Sequence, residues 1–369
     1  MNSDPRSPLP DPRPADSVPR SSILAPSSDF VLEVRDLRVS FQTVEGDVRA
    51  VDGVSYDVPR GKVLAVVGES GCGKSVTAYS ILRLIQKPGR IVGGRITIRP
   101  RKGEPIEMTG LREDDELLYR VRGGLVSMIF QEPMTALSPV HTVGNQICEA
   151  IRLHQPLSHR EAEARAIEAL AKVGIPGPEK RIHQYPFEMS GGMRQRVVIA
   201  MALVCNPELL IADEPTTALD VTIQAQIMNL MKRLKDDLGS AVLLITHNMG
   251  VVAQMADEVA VMYLGRVVEQ GTVREVLKTP RHPYTQGLLA SLPSLSYGRP
   301  RLPSIRGSVP SMLELPRGCP FHPRCPQFRT GLCDRGGLPP LVPLGGTQKA
   351  ACVRADQIPA GIVAGEVIA

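Results

Sequence analysis

Residues 63–75 read VLAVVGESGCGKS, an apolar run that passes straight into a glycine-rich turn, followed by a helix-like stretch, SVTAYSILRLI. The turn, residues 68–75, fits G-x-x-x-x-G-K-[ST] and stands where that pattern has a mechanism, between a buried strand and a helix. Glycines let backbone N–H groups close around phosphate oxygens, and the N-terminus of the following helix adds its positive end. Lys74 is placed to reach the β- and γ-phosphates of a nucleotide, and Ser75 to ligate Mg²⁺. Gly68, Glu69, Ser70, Gly71, Cys72, Gly73, Lys74, Ser75 and Val76 together form the candidate cradle. A second strand, LLIADE at 209–214, ends in two acids. Asp213 suits Mg²⁺ held through water, and Glu214 suits polarisation of an attacking water; the bland alternative is a strand ending in two capping acids.

The remaining pattern gives an α/β chain. FVLEVRDLRVSF, from Phe30, alternates as a strand does, and LVSMIF (125–130) and ELLIAD (208–213) are short buried runs. Residues 158–174 predict a helix with a Ser158–Glu161 capping box and a stop at Gly174; residues 220–239 predict another, ending before Gly239. Short buried strands alternating with helices mean a parallel sheet. The chain has 369 residues, enough for two domains. Residues 1–29, rich in Pro and Ser, read as a disordered tail. Beyond about Tyr284 Pro, Gly and Ser become frequent and periodicity fades.

Composition closes off other classes. Tryptophan is absent and aromatics make up 4% of residues, which argues against a stacking platform for single-stranded nucleic acid. The net charge of +5 is spread among interspersed acids and bases, as on a solvated surface. No apolar run approaches the ~18 residues of a spanning helix, and the N-terminus lacks a signal-peptide core, so the chain reads as cytosolic.

Between the two acidic and phosphate-binding segments lies MSGGMRQRV (189–197), with Ser190, Gly191 and Gly192 just ahead of a helix. It resembles the signature motif of ABC ATPases, in which these N–H groups grip the γ-phosphate of ATP bound to the opposite subunit. Met189 stands where Leu is usual and Met193 where Gln is usual; the second departure is typical of peptide importers. The other landmarks follow in order. Phe41 matches the aromatic that stacks on adenine, with a plain core Phe as alternative; Gln131 matches the glutamine that senses Mg²⁺ and the lytic water. Asp220, ending TALD, matches the residue that faces the dimer partner, and His247 the switch histidine on the γ-phosphate. The catalytic set implied is Glu214, His247 and Gln131, with Ser75, Gln131 and Asp213 around Mg²⁺.

The resemblance spans roughly residues 30 to 355 and narrows to oligopeptide/dipeptide importer ATPases, a group that includes nickel importers, through FQEPMTALSPVHTVGNQICEAI (130–151), THNMGVVAQMADEVAVMYLGRVVEQG (246–271) and TPRHPYTQGLL (279–289). It implies a RecA-like P-loop ATPase domain over 30–283, with an antiparallel β subdomain and a helical subdomain at about 134–190, then a loop-rich extension over 284–369. It also implies ATP and Mg²⁺ as ligands and a second ATPase subunit, either another copy or a sister chain. Two transmembrane permeases and, indirectly, a substrate-binding protein complete the partners, at the cytoplasmic face of the plasma membrane. Nucleic-acid-associated ABC ATPases are the alternative class. Those of the ribosome-recycling type carry two ATPase domains and a cluster at the front, unlike this chain; DNA-repair types need a large insert, and 114 residues separate Lys74 from Met189.

Four of the seven cysteines fall in the last 51 residues, spaced Cys319-x5-Cys325-x7-Cys333-x18-Cys352. A reducing cytosol disfavours disulfides, and zinc sites favour C-x₂₋₄-C, which both intervals miss. A [4Fe–4S] cluster, zinc and unligated packing cysteines remain open, and the family resemblance points to the cluster. His322 stands close enough in sequence to substitute as a ligand, with a loop histidine that has no metal role as the favoured alternative. Cys148 and Cys205 read as core residues, and Cys72 as a bystander in a loop whose backbone does the work, with sensitivity to thiol reagents as the alternative because a helix N-terminus lowers thiol pKa.

Overall fold

The structure, a computed structural model, describes residues 29–131, 136–217, 219–292 and 304–361. The tail expected over 1–29 lies outside the described residues except at Asp29, as do the start of the expected helical subdomain at 134–135 and Ala218 of TALD.

Two sheets organise these residues. The first has four antiparallel strands in the order β2-β1-β4-β5, from β1 (Phe30–Thr43), β2 (Gly46–Pro59), β4 (Gly89–Ile98) and β5 (Ile106–Glu107). Leu32, Val34, Leu37 and Val39 of β1 are buried. A register shift between Val34 and Leu37 turns an even spacing into an odd one and keeps all four on the core face.

The second sheet is built around five parallel strands: β3 (Val63–Val67), β6 (Val126–Ile129), β7 (Leu209–Asp213), β8 (Ala241–Thr246) and β9 (Glu258–Tyr263). Every residue of β3, β7 and β8 is buried, which is why these segments read as unbroken apolar runs rather than alternating ones. The antiparallel β10 (Arg266–Thr272) follows β9, and β11 (Val342–Pro343) and β12 (Lys349–Ala350) extend the same sheet, giving the order β11-β12-β10-β9-β3-β8-β7-β6.

Helices cover this sheet. α1 (Lys74–Ile81) follows β3 directly. α2 (Val143–His154), α3 (His159–Lys172) and α4 (Gly191–Leu203) pack together through Ile147, Ile151, Ala162, Ala166, Leu170 and Val197. Burying an aliphatic side chain of the larger kind contributes about 1.5–3 kcal/mol. The predicted capping box forms at the start of α3, where Ser158 accepts from the Glu161 N–H and Glu161 reaches back to the Ser158 N–H. α5 (Val221–Leu238) is capped by Asp220 and ends at Gly239 with φ 65°, as its sequence predicts. α6 (Met249–Met255) and α7 (Val273–Lys278) follow β8 and β10.

Past the point where the sequence changes texture, α8 (Pro283–Ala290) is almost wholly buried. The cysteine-bearing extension packs onto it. Phe321 is 1% exposed and meets Tyr263 edge-on at 5.3 Å and Tyr284 at 5.4 Å between ring centroids. Aromatic pairs of this geometry add about 0.5–1.5 kcal/mol beyond their burial.

Candidate nucleotide site

Four neighbouring parallel strands, β3, β8, β7 and β6, end at one edge of the sheet, and the chain leaves each through a predicted site residue. Open α/β sheets present ligands at these carboxyl ends. β3 gives way to the glycine loop, β7 to Asp213 and Glu214, β8 to His247, and β6 to Gln131.

The loop needs its glycines. Gly73 sits at φ 97°, and a Cβ there would lie 2.3 Å from the Ala50 carbonyl oxygen. Gly68 is similarly confined, with the Met262 carbonyl oxygen 2.2 Å from where its Cβ would stand. Lys74 is 6% exposed, and its Nζ donates to the carbonyl oxygens of Gly68 at 2.9 Å and Glu69 at 3.0 Å. Ser70 and Gly71 are exposed at the loop's crest, and Val76 is half-buried at the start of α1. Cys72 is buried, 4% exposed, with its sulfur 3.8 Å from Lys74 Nζ. Burial pushes its thiol up, and the nearby ammonium does not reverse this. Cys72 is thus a covered thiol, which speaks against the alternative of sensitivity to reagents.

Asp213 and Ser75 are brought together: the Ser75 hydroxyl donates to Asp213 Oδ1 at 3.1 Å. The other oxygen, Oδ2, is buried with no hydrogen-bond partner. A buried carboxylate oxygen left unpaired costs about 1–3 kcal/mol or more, and a hydrated cation answers that need. Burial pushes the Asp213 carboxyl up to about 6. The residues fit Mg²⁺.

Glu214, Gln131 and His247 converge. His247 Nδ1 lies 3.1 Å from Glu214 Oε1, and Gln131 Nε2 donates to Glu214 Oε2 at 3.4 Å. The Thr217 hydroxyl donates to the same oxygen at 2.9 Å, a contact not anticipated although Thr217 opens TALD. Burial pushes the Glu214 carboxyl up, but hydrogen bonds from His247 and Thr217 and the charges of His247 and Lys74 outweigh it, so the group is held below its ordinary value. It is an ionised acceptor at neutral pH.

Phe41 faces a cavity of about 480 Å³ with Val76, Tyr79, Leu84, Ile85, Gln86 and Phe130. Two further rings, Tyr79 and Phe130, thus join the aromatic predicted for adenine; their centroids are 6.2 Å apart. Ser190 caps α4 by accepting from the Met193 N–H, and Ser190, Gly191 and Asp220 are exposed, turned away from their own chain's core. Gly192 is half-buried near Ile223. No described hydrogen bond joins Ser190, Gly191 or Gly192 to the glycine loop of their own chain.

The four C-terminal cysteines line one pocket, together with His282, Phe321 and His322. The open space within it is about 10 Å³, about the room that a single water molecule needs. Burial pushes the thiols of Cys319 and Cys325 up to about 11 and about 12. Among the described residues no group of three or more His, Cys, Asp or Glu is arranged to hold a metal ion. The expectation of a [4Fe–4S] cluster on Cys319, Cys325, Cys333 and Cys352 thus meets a shared pocket but no metal-holding group among the described residues. His322 turns Nδ1 to the Cys319 carbonyl oxygen at 2.9 Å. Cys148 is buried in α2 as expected, whereas Cys205 is half-buried in the turn after α4.

This arrangement is that of a P-loop ATPase of the ATP-binding-cassette class. The ABC transporter family matches residues 51–217, and the C-terminal region of oligopeptide/dipeptide transporters matches 268–333. A "Probable peptide ABC transporter ATP-binding protein" of Sinorhizobium fredii is 51% identical over 335 residues, covering 90% of this chain and 97% of the relative. The "Dipeptide transport ATP-binding protein DppD" of Bacillus subtilis is 50% identical over 306 residues, 83% of this chain and 89% of its own. A dimeric ATP-binding cassette in a post-hydrolysis state, with ADP and Pi, superposes with a TM-score of 0.58 at 26% identity, covering 66% of this chain and 99% of its own. The chain belongs to the peptide-transporter ATP-binding proteins of the ABC family, and its enzymatic activity is that of an ATPase. No helix among the described residues is long and apolar enough to cross a membrane.

Proposed function

We propose that the chain binds ATP on its glycine loop and hydrolyses it to drive import of di- or oligopeptides through two separate permease subunits, from the cytoplasmic face of the membrane. The observation that carries this is the meeting of Gln131, Glu214 and His247 beyond Ser75 and Asp213. Loop N–H groups and Lys74 hold the β- and γ-phosphates. Ser75 and Asp213 hold Mg²⁺, which when bound neutralises phosphate charge. Ionised Glu214 accepts a hydrogen bond from the attacking water, His247 fixes the carboxylate and faces the γ-phosphate, and Gln131 orients the water. Phe41 stacks on adenine. Ser190, Gly191, Gly192 and Asp220, exposed on this chain, close the nucleotide of a partner ATPase, so turnover requires two ATPase subunits.

Glu214→Gln keeps the shape of the side chain and removes its charge. ATP binding is retained and turnover falls by about 10²-fold or more. Steady-state hydrolysis beside equilibrium nucleotide binding on the full chain checks it; normal turnover contradicts the role of Glu214.

The four cysteines admit a second reading, a structural [4Fe–4S] cluster, favoured by one observation: residues spread over 319–352 reach a common pocket. Against it stands the small space between them.

A further inference from the structure

The glycine loop is held from outside by the C-terminal extension. Arg324, between Cys319 and Cys325 in the single turn His322–Arg324, crosses to a residue 255 positions earlier in the chain. Its Nη1 donates to Glu69 Oε2 at 2.7 Å and its Nη2 to Glu69 Oε1 at 2.9 Å, a two-pronged pair that only a planar guanidinium makes. The Arg324 side chain is 4% exposed and Glu69 28%. Nε donates to the Arg306 carbonyl oxygen at 3.0 Å, and the guanidinium lies 5.8 Å from the centre of the Tyr263 ring and 6.0 Å from that of Phe321. Every direction in which Arg324 could relax is thus taken.

Glu69 is fixed at three points. Arg324 holds its carboxylate, Tyr284 Oη accepts from its N–H at 2.8 Å, and its carbonyl oxygen accepts from Lys74 Nζ at 3.0 Å. Arg324 and Tyr284 both come from beyond β10 in the chain, and Lys74 is the residue assigned to the phosphates. A loop whose backbone must present several N–H groups to one anion binds more tightly when it is already in that shape.

We propose that Arg324 is a positioning residue for nucleotide binding, acting through Glu69 to preset the phosphate-binding loop, so that ATP affinity depends on the docked extension. The inference rests on the assignment of ATP to this loop. Measured by equilibrium binding of a fluorescent ATP analogue to the full chain, Arg324→Ala and Glu69→Ala each weaken binding by about tenfold, the order expected for loss of one member of a close charge pair. The double variant is no worse than the weaker-binding single, and Arg324→Lys, which keeps the charge without the fork, falls between wild type and Arg324→Ala. At saturating ATP the turnover of Arg324→Ala stays within about twofold of wild type, because the lost interaction is made before the transition state. Unchanged affinity in folded Arg324→Ala overturns the proposal, and so do losses that multiply in the double variant. Where Arg324→Ala does not fold, Glu69→Gln decides: weakened binding supports the proposal and wild-type affinity overturns it. Lys74→Ala separates the two assignments. If it loses binding while the Arg324 and Glu69 variants do not, only this proposal fails; if it binds ATP normally, the ATP site itself is misplaced and this proposal falls with it.

Discussion

At the scale of single residues, Glu214 shows what the site demands of the chain. It sits at φ 47°, a left-handed conformation that costs a non-glycine residue of order 1–3 kcal/mol. Its N–H donates to the Ile245 carbonyl oxygen at 2.9 Å, so the adjacent strand holds the turn that aims the carboxylate at His247 and Gln131. The identity of Glu214 was legible because two acids end an apolar strand; the conformation was not, since nothing in LLIADE distinguishes a strained turn from an ordinary one. The cysteines are the opposite case. Spacing brought them to notice, yet only the fold shows that they share a pocket with His282, a residue 37 positions before the first of them. The cluster reading predicts about four irons and four sulfides per chain in anaerobically purified protein, lost in Cys319→Ser. Metal-free protein ends that reading and leaves four thiols that line one pocket with Phe321.

At the scale of elements, legibility followed burial and capping. β3 and β7 are read directly from the sequence because both faces of a parallel strand are covered, and α3 and α5 because side-chain caps and left-handed glycines mark their ends. β11 and β12, two residues each, carry no periodicity and exist because β10 offers an edge. The same join has a polar clasp. Glu275, in the capping box of α7, also accepts from the Thr347 N–H at 3.2 Å and from the Thr347 hydroxyl at 2.6 Å, just before β12. Burial pushes its carboxyl up, but the hydrogen bonds from Thr347 and Thr272 outweigh that and hold it at about 2. A carboxyl lowered by folding contributes stability above its unfolded value, and that contribution is lost as pH falls through the folded one. Glu275→Gln therefore lowers stability at pH 7 by about 1 kcal/mol, the size of a lost cap tempered by solvent screening, and the gap from wild type closes between about pH 4.5 and 2. Denaturant midpoints of both proteins across that range check it; a gap that does not depend on pH assigns the loss to packing instead.

At the scale of the whole molecule, the proposed site is half a machine. The strand ends carry the loop, Asp213, Glu214 and His247, and the N-terminal caps of α4 and α5 expose Ser190, Gly191 and Asp220. The sequence displayed both sets as motifs, and the fold puts them on different elements: α4 and α5 carry the signature and Asp220 at their N-terminal caps. The extension, which sequence treats as an arm after the ATPase domain, is joined to it by β12, by Phe321 and by the Arg324–Glu69 pair. The central claim is that each nucleotide is closed by two subunits. Its most direct test is ATP hydrolysis by mixtures of two defective full chains, Lys74→Ala, which lacks the phosphate lysine, and Ser190→Arg, which blocks the signature. Each alone is inactive. A mixed pair contains one intact composite site, loop from one copy and signature from the other, and so regains about a quarter of wild-type turnover if copies pair at random and sites act independently. Recovery of that order is the predicted result; a mixture as inactive as its parts, from a wild type that turns over ATP as a pair of identical copies, contradicts the composite site.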